Sequence, residues 1–255
     1  MANTRTVRRY LYCILMLSIC VGMQEAKGGG PPQSEDVVTG ALQWRNDETI
    51  DHRYYVFLPK EYVSSDRDWP MVVYLHGGGG GGASAEQIRK LLQPLMNQPF
   101  VLLVPLCPPV PDGMNKMHQT WNHQILGALI KSVINEYRID SARCSLMGFS
   151  MGGSASWELP YYHPELFDKV AVMSGSCHFW KVRYFPKIPV WVFSGGAEQW
   201  LPYHKQTVDA AKSFGVNVTY TIWPGLGHGE NHKKSLNYEP LVQWLSGELS
   251  APKQP

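Results

Sequence analysis

Between positions 148 and 152 the chain reads Gly148-Phe149-Ser150-Met151-Gly152, at the end of an apolar run over 144–148. A strand that ends in G-x-S-x-G must turn sharply into a helix, and glycine at both flanks removes the Cβ atoms that would collide in the turn. Its central hydroxyl, Ser150, is then held out as a nucleophile. A serine hydroxyl attacks a carbonyl only if a base takes its proton, and the base needs a third group to fix its tautomer. Downstream lie His163, His178, His204, His228 and His232. Only His228 occupies a glycine-rich stretch just after an apolar strand, Trp223-Pro224-Gly225-Leu226-Gly227-His228-Gly229, and it is the expected base, with His232 in reserve. The acid should follow the preceding strand, where Val190-Trp191-Val192-Phe193 leads through Ser194-Gly195-Gly196-Ala197 to Glu198. Aspartate is commoner in this role, though glutamate also serves. Asp209 is the poorer candidate because it falls inside a helical pattern.

Charge that develops on an attacked carbonyl oxygen needs fixed donors. An apolar strand over 71–75 runs into His76 and six consecutive glycines, 77–82, and such a turn lets backbone N–H groups come close to a substrate. The backbone amides of Gly78 and Met151 are the expected donors. His76, Gly77, Trp121, Trp180 and Trp200 are candidates for the substrate wall, tryptophan at half-buried packing positions being the ordinary alternative. The glycine run also satisfies G-x-G-x-x-G through Gly77, Gly79 and Gly82. The acidic residue that would hold a ribose about 20 residues on is missing, and no G-K-[ST] follows, so neither a dinucleotide site nor a P-loop is read here. No cofactor and no metal is expected.

These groups need a frame that gathers them. Apolar, β-branched runs predict strands over 54–58, 71–75, 100–105, 144–148, 170–173, 190–193 and 218–223. Helical patterns cover 85–96, 123–137, 151–162, 203–214 and 239–249. Apolar strands alternating with amphipathic helices argue for an α/β fold with a mainly parallel sheet covered on both faces. The segments 37–44 and 50–58 alternate more, as antiparallel edge strands do. Sites in such sheets form outside the carboxyl ends of the strands, and each candidate group above follows a strand. One catalytic domain is expected over 37–250, followed by a tail over 251–255.

At 255 residues, with 44% hydrophobic and 17% charged side chains, the composition is that of an ordinary globular chain. Its start is different. Arg5, Arg8 and Arg9 precede an apolar run over 10–23 that is short for a bilayer span and gives way to small and polar residues. This predicts a secretory signal over 1–22, cut after Gly22 or alternatively after Ala26, with an uncleaved anchor as the competing reading and a flexible lead-in over 23–36. Removing 1–22 deletes three arginines and no acid, so a formal charge of +2 becomes −1. Nucleic acid and anionic membrane both require clustered Lys and Arg and are excluded as expected partners. Cys107, Cys144 and Cys177 remain, an odd number that allows at most one bridge. Asn217-Val218-Thr219 is a glycosylation sequon if the chain is exported, and otherwise a polar turn before a strand.

Taken together, Leu75-His76-Gly77-Gly78, Gly148-Phe149-Ser150-Met151-Gly152-Gly153, the strand leading to Glu198, and Gly227-His228 resemble the α/β-hydrolase superfamily over roughly 37–249. The likeness is nearest to secreted, lid-poor esterases related to polyhydroxybutyrate depolymerases, feruloyl esterases, and dienelactone-hydrolase-like or phospholipase/carboxylesterase-like proteins. It implies an α/β-hydrolase fold of about eight strands with little or no cap. It further implies a Ser150-His228-Glu198 triad working through an acyl-enzyme on a small-molecule or polymer-end ester. Two departures stand out: Ser194-Gly195 where relatives commonly have His-Gly, with Glu198 rather than Asp as acid, and a serine where true dienelactone hydrolases use cysteine. The short span between Ser174 and Ile188 predicts an open site. A secreted peptidase with the same triad, and a non-catalytic binding protein that keeps the fold, are the rival readings; oligomeric state is not legible.

Overall fold

The computed structural model describes residues 37–42, 52–108, 120–252 and 255. The expected signal and lead-in, the ends of the first two predicted strands over 43–51, most of the proline-rich loop before Trp121, and residues 253–254 of the tail lie outside the described residues.

In chain order the elements are β1 (Val37–Leu42), β2 (His52–Phe57), β3 (Trp69–Leu75), α1 (Ala85–Leu91), β4 (Val101–Pro105), α2 (His123–Glu136), β5 (Ile139–Phe149), α3 (Met151–Tyr162), β6 (Lys169–Met173), α4 (Phe179–Val182), β7 (Val190–Gly195), α5 (Leu201–Ser213), β8 (Val218–Trp223), α6 (His228–Leu236) and α7 (Glu239–Ser246). The strands form one sheet in the order β1-β2-β4-β3-β5-β6-β7-β8. β1 pairs antiparallel with β2 and β2 antiparallel with β4, while every later pair is parallel. The antiparallel edge and the parallel body are as the patterning predicts.

Alternation along each strand splits the core in two. Met71, Val73 and Leu75 of β3 face one layer with Leu146, Val172 and Val192, covered by α2, α3, α4 and α5 through Leu129, Trp157, Val182 and Val208. Val72 and Tyr74 face the other with Met147, Met173 and Phe193, covered by α1, α6 and α7 through Ile88, Leu236 and Trp244. Each such side chain that is fully buried contributes roughly 1.5–3 kcal/mol over leaving it in water. The expectation of helices on both faces therefore holds.

Strand order sets where a site can form. After β3 the chain turns to β4 on one side, and after β5 it turns to β6 on the other. The loops leaving these two neighbouring strands diverge and open a crevice at their carboxyl ends, the switch point of the sheet. Gly77 follows β3 and Ser150 follows β5, so both lie at that crevice.

Some elements differ from expectation. The helix foreseen over 85–96 stops at Leu91 and continues as a single 3-10 turn, Gln93–Leu95, because Pro94 lacks the N–H that would extend it. α4 is one short turn in the segment between β6 and β7. The stretch after Gly227, read as loop, is the helix α6, with His228 as its first residue. Among the described residues no helix is long and apolar enough to cross a membrane.

Candidate active site

The turn between β5 and α3 has the strain its sequence implies. Ser150 sits at φ 56° and ψ −115°, a positive-φ conformation outside the left-handed helical well that few non-glycine residues adopt. Its amide donates to the carbonyl of Met173 at 2.9 Å, which ties the apex to β6. A Cβ at Gly148 would lie 2.3 Å from the Gly152 carbonyl oxygen, and one at Gly152 would lie 2.0 Å from that of Leu75. Backbone occupies both spaces, so neither position accepts a side chain. Met151 is the first residue of α3, where an amide has no partner within its own helix.

Glu198 closes a tight turn after β7. Its Oε1 accepts from the Gly195 amide at 2.5 Å and from Ser174 Oγ at 2.8 Å, and its Oε2 pairs with His228 Nδ1 at 2.7 Å. Burial of the carboxylate pushes its pKa up, but the bonds from His228, Gly195 and Ser174 outweigh this and hold it below the ordinary range. With Nδ1–H given to Glu198, Nε2 of His228 is left free to accept a proton. The His228 side chain is 38% exposed whereas that of Glu198 is wholly buried. The Phe149 ring lies 4.6 Å from the His228 ring, so the residue that precedes Ser150 touches His228. Among the described residues no hydrogen bond joins Ser150 Oγ to the imidazole.

The reserve base has other work. His232 Nε2 shares a hydrogen bond with the Tyr74 hydroxyl at 2.8 Å, and its ring stacks on Phe149 at 4.1 Å. Burial, with the nearby His228 adding to it, lowers its pKa to about 4, so it is a neutral buried support. Asp209 is exposed on α5.

The glycine loop is organised by His76. The Cys107 amide donates to His76 Nε2 at 3.0 Å, and burial keeps the ring neutral. Its single proton is therefore on Nδ1, which donates to the Gly77 carbonyl at 2.7 Å. In a trans peptide C=O and N–H point opposite ways, so pinning the Gly77 carbonyl turns the Gly78 amide away from His76. A Cβ at Gly77 would lie 3.3 Å from that of Ser150, which puts the loop against Ser150, and one at Gly80 would lie 2.5 Å from His76 Nδ1. Trp121, expected in the substrate wall, is 4% exposed and packs on His76 with ring centroids 4.8 Å apart. Trp180 and Trp200 are 45% and 48% exposed. Cys107, Cys144 and Cys177 form no disulfide among the described residues; burial pushes the thiols of Cys144 and Cys177 up to about 12, and the Cys107 amide serves His76. Among the described residues no cluster of three His, Cys, Asp or Glu is arranged to hold a metal.

Sequence reasoning missed Ser174 and Asn231. Ser174 has a left-handed φ of 52°, which a serine does not announce, and Asn231 lies in the helix that apolar periodicity did not reveal.

A family model described as "Putative esterase" matches residues 49–242. No curated protein matches the chain by sequence. Among solved structures, a thermostable esterase superposes with a TM-score of 0.69 at 24% identity over 82% of this chain and 62% of its own. The chain thus spans less than two thirds of that enzyme's length. A ferulic acid esterase gives 0.62 at 17% identity, over 84% of this chain and 98% of its own. An S-formylglutathione hydrolase from Staphylococcus aureus gives 0.64 at 10% identity, over 83% and 100%. At these identities the structures establish the fold, that of the α/β-hydrolases, and the family model establishes the kinship: this chain belongs to the Esterase family.

Proposed function

We propose that this protein hydrolyses carboxylic esters by two-step acyl transfer, with Ser150 as nucleophile, His228 as base and Glu198 as the acid that orients it. The observation that carries the reading is the 2.7 Å bond from His228 Nδ1 to a wholly buried carboxylate, beside the strained Ser150 turn. Ser150 Oγ attacks the ester carbonyl and gives its proton to His228 Nε2; the alcohol leaves with that proton, and water repeats the sequence on the acyl-enzyme. The hydroxyl rotates about one bond, and such contacts often tighten only once substrate is bound. The Gly78 and Met151 amides hold the oxyanion, a role in which loss of one donor costs about 2.7–4 kcal/mol. Small or polymer-end esters suit the short β6–β7 connection. Exposed Trp180 and Trp200, and the kinship in fold with a ferulic acid esterase, put aryl esters among them. The leader pattern further supports export.

A fluorophosphonate probe followed by peptide mapping tests the mechanism. Labelling at Ser150, lost in Ser150→Ala together with turnover of acyl and aryl p-nitrophenyl esters, is expected. Turnover that survives in Ser150→Ala ends the triad reading, and faster cleavage of matched amides than of esters would make the protein a peptidase.

A further inference from the structure

Behind Glu198 a row of buried polar side chains runs back into α6. Trp223 Nε1–H donates to Ser235 Oγ at 3.0 Å, and the Ser235 hydroxyl donates to Asn231 Oδ1 at 3.0 Å. Asn231 Nδ2–H donates to Ser174 Oγ at 2.6 Å and to the Phe193 carbonyl at 3.3 Å, and the Ser174 hydroxyl donates to Glu198 Oε1 at 2.8 Å. Each proton's direction is forced. The indole can only donate and the Phe193 carbonyl can only accept, so the Asn231 amide has one orientation. Ser174, having received from Asn231, has its one proton left for the carboxylate. Asn231 and Ser235 are 0% exposed and Ser174 4%, so water does not compete for these bonds.

Placement makes this row more than a satisfied core. Asn231 lies three residues after His228 on the same helix, and its amide fastens that helix to the residue after β6 and to β7, whose next turn carries Glu198. One side chain therefore sets the helix that presents the base against the strand ends that present the acid. Ser174 holds φ 52°, where glycine would sit without strain, so the hydroxyl is what serine adds there. Resting on the triad reading above, we propose that Asn231, acting through Ser174, is a positioning residue that occupies Glu198 Oε1 and leaves Oε2 to His228 alone. The other groups acting on Glu198 are the Gly195 amide of β7, the His228 imidazole of α6, His204 of α5, whose Nδ1 bonds to Ser194 Oγ, and Tyr220 of β8, whose hydroxyl donates to that same Oγ.

The test compares wild type, Ser150→Ala, Ser174→Gly, Asn231→Leu and Asn231→Asp on p-nitrophenyl acetate across pH, with folding followed by circular dichroism. Turnover in wild type that is lost in Ser150→Ala secures the parent reading; if it fails there, the inference falls with it. Given that, Ser174→Gly and Asn231→Leu should lower kcat about tenfold with KM within about twofold, the range for groups that orient a catalytic residue. The acid limb of kcat/KM should move up by about half a pH unit or more, since a carboxylate stripped of donors takes a proton more readily. Asn231→Asp, which cannot donate to Ser174, should match them, and Ser174→Gly combined with Asn231→Leu should be no worse than either alone. Ser174→Gly suits its own backbone conformation and decides the matter even if Asn231→Leu fails to fold. Folded Ser174→Gly with a wild-type kcat and an unmoved acid limb overturns the proposal, as does a loss of activity that only tracks the unfolded fraction.

Discussion

In the proposed triad, a glutamate in place of the commoner aspartate has a local explanation. The Glu198 amide donates back to the Gly195 carbonyl at 3.2 Å, and the longer side chain folds over that turn to accept from the Gly195 amide while its second oxygen reaches His228. Glu198→Gln offers the imidazole an amide in place of a charge and inverts the favoured tautomer. It should lower kcat by about 10³–10⁴ while leaving the fold intact. Glu198→Asp keeps the charge but falls one methylene short of satisfying both His228 and Gly195, and a smaller loss, about 10–100-fold, is expected. Both are read from kcat on a chromogenic ester; Glu198→Gln within tenfold of wild type would mean that some other group orients the base. At this scale the sequence is legible wherever composition marks a turn. Ser150, Glu198 and His228 each follow an apolar strand in glycine-rich surroundings. The part played by His76 depends on which backbone groups reach its two nitrogens, and the left-handed Ser174 on a backbone angle, and neither leaves a trace in residue type.

Element by element, apolar periodicity finds the helices that bury apolar stripes and overlooks α6, whose inward face is largely polar. Asn231, His232 and Ser235 are buried there with only Leu236 as an aliphatic companion. β5 shows the same bias: after Ile139 pairs with Trp69, Asp140 to Arg143 bulge out of register, and regular pairing with β3 starts at Cys144, where the apolar run begins. The polar face of α6 has a thermodynamic consequence. His232 titrates at about 4 in the fold against 6.5 for the free imidazole, because burial disfavours its charged form. Below pH 6.5 the unfolded chain takes up a proton that the folded one refuses, so stability is full above that pH and is lost as pH falls towards 4. The slope is about 1.4 kcal/mol per pH unit for one group, or about 3 kcal/mol across the window. His76 and His204, also lowered by burial, act in the same sense. Replacing both members of the hydrogen-bonded pair, Tyr74→Phe with His232→Leu, removes the titrating group without orphaning its partner. Urea unfolding at pH 6.5 and 5.0 should show a loss about 2 kcal/mol smaller in the double variant than in wild type. Equal losses would assign the acid sensitivity elsewhere.

Considered whole, the molecule separates chemistry from support by the direction of its sheet. The parallel strands deliver Gly77, Ser150, Ser174 and Glu198 to one edge, where Phe179, Trp180, Tyr184, Trp200 and Tyr203 are exposed around α4 and α5. With only α4 between β6 and β7, nothing the size of a cap domain is inserted there, so rates on a soluble ester should rise hyperbolically through its solubility limit. A sharp jump on forming an emulsion would point to a hidden lid. The alternation of strands and helices was readable because near-continuous apolar strands and amphipathic helices follow from a sheet covered on both sides. The partner order of the strands was not, since pairing depends on which edges meet in space. That order bears on the export proposal. Asn217 is exposed immediately before the edge strand β8, and its carbonyl accepts from the Val190 amide at the start of β7, so the sequon lies at the amino-terminal edge of the parallel strands. A glycan there would stand at the far end of the sheet from Ser150. Expression of the full chain in a eukaryotic secretory host should yield secreted protein with a mass shift that an N-glycosidase removes and Asn217→Gln abolishes, with kcat/KM on p-nitrophenyl esters unchanged between the two forms. Retention in the cell without a glycan would count against export, and a glycan that slows ester turnover would place the working edge of the sheet at the wrong end.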